Sequence, residues 1–458
     1  MRLVLLSGGS GKRLWPLSND ARSKQFLRVL ENHQERLSSM VQRVYGQLCE
    51  VGLAGSTVIA TGRSQVEMLQ NQLGRDVPLI VEPERRDTFP AIALAASYLY
   101  TRTGASLDDV VAVLPVDPYV DTAFFRRIQD LEKLLDRTNA DLALMGVKPT
   151  YPSEKYGYIV PVKKENHDYI QVDHFTEKPE EEQARKLIAE SALWNCGVFA
   201  FKLDYMISKF AALNLPVHYD ELLKQFNRLP KISFDYAVVE KAKNIVALPY
   251  DGFWKDLGTW STLTEEMATN QIGKGIISQD SENTHLINEL DLPVTVLGIS
   301  NAVVAVSPDG ILVSDKEQSP RIKEVMKGFD QRPMYEERHW GSYRVLDYTS
   351  YEKDEEEVLT KKIKIKPGEN ISYHCHHMRQ EVWTVVKGCG QYAANGVIRP
   401  IKPGDVVIVP AETMHAIKAD DPMELIEVQI GSQLIEEDIK RKYMKWEEIV
   451  ENCSFIRS

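Results

Sequence analysis

Two parts of this sequence hold side chains whose types and spacing could do chemistry. The first follows the opening apolar strand and reads LLSGGSGKRLWPLSNDARSKQFL, Leu5 to Leu27. A glycine cluster directly after a strand offers backbone N–H groups to phosphate oxygens. A G-x-x-x-x-G-K-[ST] loop is excluded, because Leu6 replaces the first glycine and Arg13 stands where a metal-holding hydroxyl is needed. A dinucleotide fingerprint is a poor match, since Leu14 replaces its third glycine. What is left is a backbone cradle of Gly8, Gly9, Ser10 and Gly11, followed by two cations, Arg13 and Lys24. Such cations could neutralise a triphosphate and its developing charge, which suits nucleotidyl transfer. The glycines alone would serve a tight strand-to-loop turn equally well.

The second part is a histidine cluster. NISYHCHHMRQEVW carries His374, His376 and Glu381, and VPAETMH brings His415. Residues two apart in a strand share a face, so His374 and His376 point together while His377 and Cys375 point away. Three imidazoles and one carboxylate suit Zn²⁺, Mn²⁺ or Fe²⁺, with positions left open for water or substrate. Cys389 is a neighbour that the site does not need. Two aspartates form a third set: Asp117 follows the apolar run VVAVLP and Asp256 sits in WKDLGTW. Together with phosphate oxygens, two carboxylates are sufficient for Mg²⁺. Any single Asp at a strand end is more often a turn residue or a helix cap.

The elements that must position these groups change character along the chain. From Met1 to about Gln271, short β-branched runs (MRLVLLS, STVIAT, VPLIVE, VVAVLP, DLALMGV) alternate with helical segments, which predicts a Rossmann-like α/β domain over 1–271. Residues 272–330 read as a β-rich linker with Asn, Asp and Gly punctuation. A second β-rich block occupies 331–458, and LIEEDIKRKYMKWEEIV is expected to close it as an amphipathic helix. At 458 residues with 43% hydrophobic content, several cores are expected. The net charge of −11 lacks the basic excess used to bind nucleic acid or anionic membrane. Five scattered cysteines fit reduced thiols, and the absence of a leader or long apolar run points to a soluble, cytoplasmic protein.

The string GGSGKRLWPLS with SKQFL resembles the sugar-1-phosphate nucleotidyltransferases, in particular the mannose-1-phosphate guanylyltransferase branch. The likeness continues in order through VEPERRDTFPAIALAA, VLPVD, EKYGYI, FTEKP, LWNCGVF, FDYAVVEK and WKDLGTW. It implies GTP and a sugar 1-phosphate as substrates, and Asp117 and Asp256 as the Mg²⁺ pair beside Arg13 and Lys24. It also implies nucleotide contacts at Arg86 and Asp87, and a sugar-phosphate site at Gly157, Glu177, Lys178 and Asn195. Asp87 and Pro118 depart from the residues common in that family.

The C-terminal block is similar to a cupin barrel. Its RHWGSYRVL, KIKPGENIS, EVW, KPGDVVIVPA and EVQIGSQLIEEDI resemble the type II phosphomannose isomerase domain of bifunctional enzymes. That resemblance implies Zn²⁺ or another divalent transition metal at His374, His376, Glu381 and His415, and a mannose 6-phosphate isomerase activity. His374, Val382 and Ala416 depart from the pattern, so a structural or sensing cupin stays open, as does a guanylyltransferase for another manno-configured sugar such as a heptose. The family and exposed β edges imply a homodimer.

Overall fold

The computed structural model describes all residues except 10, 11, 20, 33–34, 163–167, 330, 352–354 and 457–458. The N-terminal strands are β1 (Arg2–Ser7), β2 (Thr57–Gly62), β3 (Leu79–Glu82), β4 (Val110–Pro115), β5 (Pro118–Val120), β6 (Leu142–Val147), β7 (Tyr158–Pro161), β8 (Ile170–Thr176), β9 (Leu193–Lys202), β10 (Ile245–Tyr250) and β11 (Trp254–Asp256). Nine of them form one mixed sheet in the order β3-β2-β1-β4-β9-β6-β10-β8-β7. β1 lies parallel to both β2 and β4, while β9 runs antiparallel to β4 and β6. The carboxyl ends of β1 and β4 open towards the same edge, where sheets of this kind place their ligands. Gly8 and Asp117 lie just beyond those two ends.

Helices cover both faces. α1 (Met40–Glu50) starts with a capping box in which the Ser39 hydroxyl and the Gln42 amide each accept from the other's backbone N–H. α2 (Val66–Leu73) follows β2 directly. α3 (Thr88–Arg102) is buried almost all round from Phe89 to Leu99, so it packs as a core helix with no polar face to present. α4 (Thr122–Thr138) is amphipathic, capped by Asp121 and ended by Asn139 in the left-handed region.

The following segment is β-rich. Strands Gln271–Ile272, His285–Asn288 and Ala302–Ser307 stack in parallel, and Gly310–Asp315 closes the sheet antiparallel. Its core is shared with the loop that follows Gly8: Leu14, Leu17, Leu27 and Leu30 pack with Trp260, Ile287, Val303 and Ala305. The segment is thus fastened to the N-terminal loop.

The C-terminal block is two six-stranded sheets. One runs from Tyr335–Arg338 through Gly341–Tyr351, Glu356–Ile365, Met423–Gly431 and Arg379–Lys387 to Val406–Val409; the other includes Asn370–Cys375, His415–Ala419 and Lys440–Tyr443. Their inner faces share a core of Tyr343, Leu359, Ile363, Trp383, Val385, Tyr392, Ile417 and Leu425. The closing segment departs from the single helix expected from its pattern. Lys440–Tyr443 adds as a strand to the edge of Asn370–Cys375, and the helix is confined to Trp446–Asn452. A short helix is marginal without packing, and the open edge of Asn370–Cys375 gives this stretch a strand partner instead. Among the described residues, no helix is long and apolar enough to cross a membrane.

Candidate functional site

The N-terminal site forms where β5 and β11 pair antiparallel, Asp256 opposite Pro118. That pairing brings Asp117 and Asp256 to the two sides of Lys24. The Lys24 ammonium lies 2.8 Å from Asp117 Oδ2 and 3.2 Å from Asp256 Oδ1. Burial lowers its proton affinity, but the two carboxylates outweigh burial and hold the ammonium charged. Lys24 is positioned by its neighbours: Ser23 Oγ donates to the Gly9 carbonyl at 3.0 Å, and Gln65 Nε2 donates to Ser23 Oγ at 2.8 Å. Gly8 and Gly9 are exposed, and a Cβ on either would meet nothing within 4 Å. The backbone there is open to a ligand.

Lys24, Asp117 and Asp256 line a cavity of about 280 Å³. Gly157, Glu177, Asn195 and Asp235 line it too, with Tyr156 and Trp254. Asn195 Nδ2 donates to Asp235 at 3.1 Å, and its backbone N–H donates to the Gly157 carbonyl at 2.8 Å. Gly157 has to be glycine, because a Cβ there would sit 2.4 Å from the Phe175 ring and 2.6 Å from Glu177 Oε2. Burial, and then the nearby Glu177, push the Asp235 carboxyl up to about 7. The cavity therefore presents the acids and amide of Glu177, Asp235 and Asn195 together with the Lys24 cation.

Other residues singled out from sequence sit differently. Lys178 does not line the cavity; it pairs with Glu177 and is half exposed. Arg86 is turned to Glu84 at 2.8 Å and to the Leu229 carbonyl at 2.9 Å. Asp87 caps α3, accepting from the Thr88 N–H at 2.8 Å. Arg13 is exposed, with no ion pair to another described residue. Ser10 and Gly11 lie outside the described residues. Asp235, Tyr156 and Trp254 escaped sequence reasoning although each lies inside a quoted stretch, FDYAVVEK, EKYGYI and WKDLGTW, because nothing in their spacing marks which way they face.

The second site lies between the two C-terminal sheets. His374 and His415 are register partners on adjacent strands, and His376 follows just past the strand end. All three are buried, and one nitrogen from each falls within 4.8 Å of the others, so the triad could hold a metal ion. Each Nδ1 meets a backbone carbonyl: Ser372 at 2.6 Å for His374, Thr413 at 2.8 Å for His415, and Asp438 for His376. Those bonds place the proton on Nδ1 and leave each Nε2 lone pair facing inward, as ligation requires. His415 Nε2 is buried without a hydrogen-bond partner. Burial, joined by the neighbouring imidazoles, holds His374 well below its ordinary value, and so neutral.

Glu381 reaches in from the facing sheet, 3.2 Å from His376 Nε2 and 3.4 Å from His415 Nε2. Arg379, Trp383 and Gln429 all donate to it at 3.2 Å. Arg379, Glu427 and Gln429, unassigned from sequence, line this cavity with Lys361 and Glu436. His377 faces out, half exposed.

A nucleotidyl transferase family model matches residues 2–271, and a mannose-6-phosphate isomerase C-terminal model matches residues 330–443. The chain is 31% identical to the xanthan biosynthesis protein XanB of Xanthomonas campestris pv. campestris (strain B100), over 96% of this chain and 97% of that protein. It is 30% identical to the mannose-1-phosphate guanylyltransferase ManC of Salmonella typhimurium (strain LT2), over 96% of each. Among solved structures, the mannose-1-phosphate geranyltransferase from Thermus thermophilus aligns with a TM-score of 0.58 at 28% identity, over 72% of this chain and 99% of that one. With both family models in sequence and relatives matched end to end, the chain belongs to the nucleotidyl transferase family, among the mannose-1-phosphate guanylyltransferases that carry a mannose-6-phosphate isomerase C-terminal domain.

Proposed function

We propose that this chain transfers a guanylyl group from GTP to mannose 1-phosphate, giving GDP-mannose and pyrophosphate. The observation that carries the reading is Lys24 held between Asp117 and Asp256 in a cavity that also presents Glu177, Asn195 and Asp235. A phosphate suits the cation and sugar hydroxyls suit the acids and amide. A phosphate oxygen of mannose 1-phosphate attacks the α-phosphorus of GTP, and the bond to the bridging oxygen breaks as pyrophosphate leaves with the electron pair. Asp117 and Asp256 would hold Mg²⁺, which when bound supplies further positive charge to the phosphate oxygens. Lys24 neutralises charge, Arg13, unpaired among the described residues, is a second cation for the triphosphate, and the Gly8–Gly9 backbone approaches it. In this reading Arg86 and Asp87 would serve the nucleotide and Lys178 the sugar phosphate, which asks Arg86 and Lys178 to leave their present partners. Relatives that are mannose-1-phosphate guanylyltransferases favour mannose over another manno-configured sugar. Pyrophosphate release over a panel of NTPs and sugar 1-phosphates tests the reading; faster turnover with a pair other than GTP and mannose 1-phosphate would displace it.

A second activity is supported by the buried histidine triad. His374, His376 and His415, with Glu381, would hold a divalent transition metal such as Zn²⁺, which when bound polarises a sugar carbonyl. The carbonyl bonds to Nδ1 orient the rings, and Glu427 and Gln429 offer an acid and an amide to the hydroxyls of mannose 6-phosphate or fructose 6-phosphate. In this reading the transferase spans 1–271, the linker 272–330 and the cupin 331–458.

A further inference from the structure

The cavity that holds the histidine triad is not built from the C-terminal block alone. Its wall also includes Glu67, from the first turn of α2 in the transferase domain. Glu67 Oε2 lies 3.3 Å from His339 Nδ1, and Oε1 lies 3.5 Å from Arg338 Nη1. Arg441 lines the same cavity and acts on Glu67 through its charge. Arg441 is brought there because Lys440–Tyr443 pairs with Asn370–Cys375, with His374 opposite Arg441. Burial raises the Glu67 carboxyl, but His339, Arg338 and Arg441 outweigh that and keep it ionised.

The helix that carries Glu67 is tied down at both ends. Gln65, buried just before α2, accepts from Ser7 and Thr61 and donates to Ser23. At the other end Asn71 donates to the carbonyls of Arg338 at 2.6 Å and Gly341 at 3.1 Å, the turn that presents His339 and Trp340 to the cavity. Glu67 is therefore a carboxylate fixed against two arginines and a histidine at the opposite domain's cavity.

We propose that Arg338, His339 and Arg441 form the phosphate end of the cupin cavity, and that Glu67 occupies it as a built-in competing anion contributed by the transferase domain. A hexose 6-phosphate then binds with its sugar towards the triad and its phosphate in place of the Glu67 carboxylate. This rests on the reading of the cavity as a hexose-phosphate site. Two other carboxylates stand beside Arg338, Glu336 at 2.5 Å and Glu436 at 3.6 Å, and Glu436 also pairs with Lys361 at 3.3 Å.

The test is calorimetric titration of the full, metal-loaded chain with mannose 6-phosphate and, separately, with mannose. Removing a like charge from the phosphate's neighbourhood in Glu67→Gln should tighten mannose 6-phosphate roughly 10-fold and leave mannose unchanged. Arg441→Gln should weaken mannose 6-phosphate by about as much. Asn71→Ala loosens the same helix–turn contact without altering charge and should not tighten binding. Thermal unfolding checks that each variant is folded. Unchanged or weaker binding in Glu67→Gln overturns the proposal, as does equal tightening in Asn71→Ala or failure of every variant to bind mannose 6-phosphate. A chain that binds mannose 6-phosphate in this pattern without isomerising it keeps the phosphate end and removes the isomerase reading.

Discussion

Arg22→Met tests whether the linker segment holds the catalytic loop in place. The Arg22 side chain is 8% exposed and donates to Glu289 from both terminal nitrogens, each at 2.9 Å. Its guanidinium also lies 5.2 Å from the centre of the Tyr335 ring. Two residues on, Lys24 bridges Asp117 and Asp256, so the Arg22 clamp sets where that ammonium can reach. Methionine keeps most of the apolar stem and removes the charge, leaving Glu289 without its cation. Breaking a buried pair from one side costs about 3–5 kcal/mol. Glu289 is 25% exposed, so water recovers part of that and about 2–3 kcal/mol is expected. At roughly 2–4 °C per kcal/mol for a unit of this size, Tm should fall by about 4–12 °C. The guanylyltransferase kcat/KM should fall about 10-fold through loss of positioning, read as pyrophosphate release. Glu289→Gln should do less, and the double variant should be non-additive by more than about 1 kcal/mol. A Tm within about 1 °C of the native chain, or an additive double variant, would refute the clamp.

Asp256→Asn removes a charged oxygen ligand and should raise the Mg²⁺ concentration needed for half-maximal guanylyl transfer; an unchanged Mg²⁺ titration counts against the pair. His376→Ala should abolish bound transition metal and isomerisation while guanylyl transfer continues with Mg²⁺, checked by elemental analysis and both assays. Asp235→Asn addresses pH dependence. Its carboxyl is raised to about 7 against about 4 unfolded, so the folded chain holds the extra proton between those values. That group's contribution is fully present below about pH 4 and lost as pH rises to about 7. The variant should therefore lack this decline and be more stable than the native chain at pH 8 by about 2–4 kcal/mol in denaturant titration, and an unchanged pH profile would sink the assignment.

Much of the site was legible because its chemistry is local. Gly8, Gly9 and Lys24 stand in one stretch after a strand, and His374-x-His376 share a strand face by pleat alone. The alternation of VVAVLP and its neighbours with helical runs is likewise a property of short windows, and β1, β2, β4 and β6 fall where those runs lie. The closing segment shows the limit of such windows. Its helical pattern is real, yet Lys440–Tyr443 becomes a strand because Asn370–Cys375 offers an unpaired edge, which no local window contains.

The residues left unread are those whose partners are far away in sequence. Arg22 and Glu289 are 267 positions apart, as are Asn71 and Arg338. Asp235 looks like any acid in a helix until Asn195 and Glu177 surround it. Sequence by itself determined which groups are available, the period that puts two histidines on one face, and that an α/β part precedes a β-rich cupin-like one. Only the tertiary structure decided which ones meet: Lys24 between two aspartates, and a transferase glutamate in the wall of the cupin cavity. The reason is physical. Pleat and helical period are set by neighbouring backbone angles, whereas desolvation and charge pairing depend on distances that exist only once separate elements have packed.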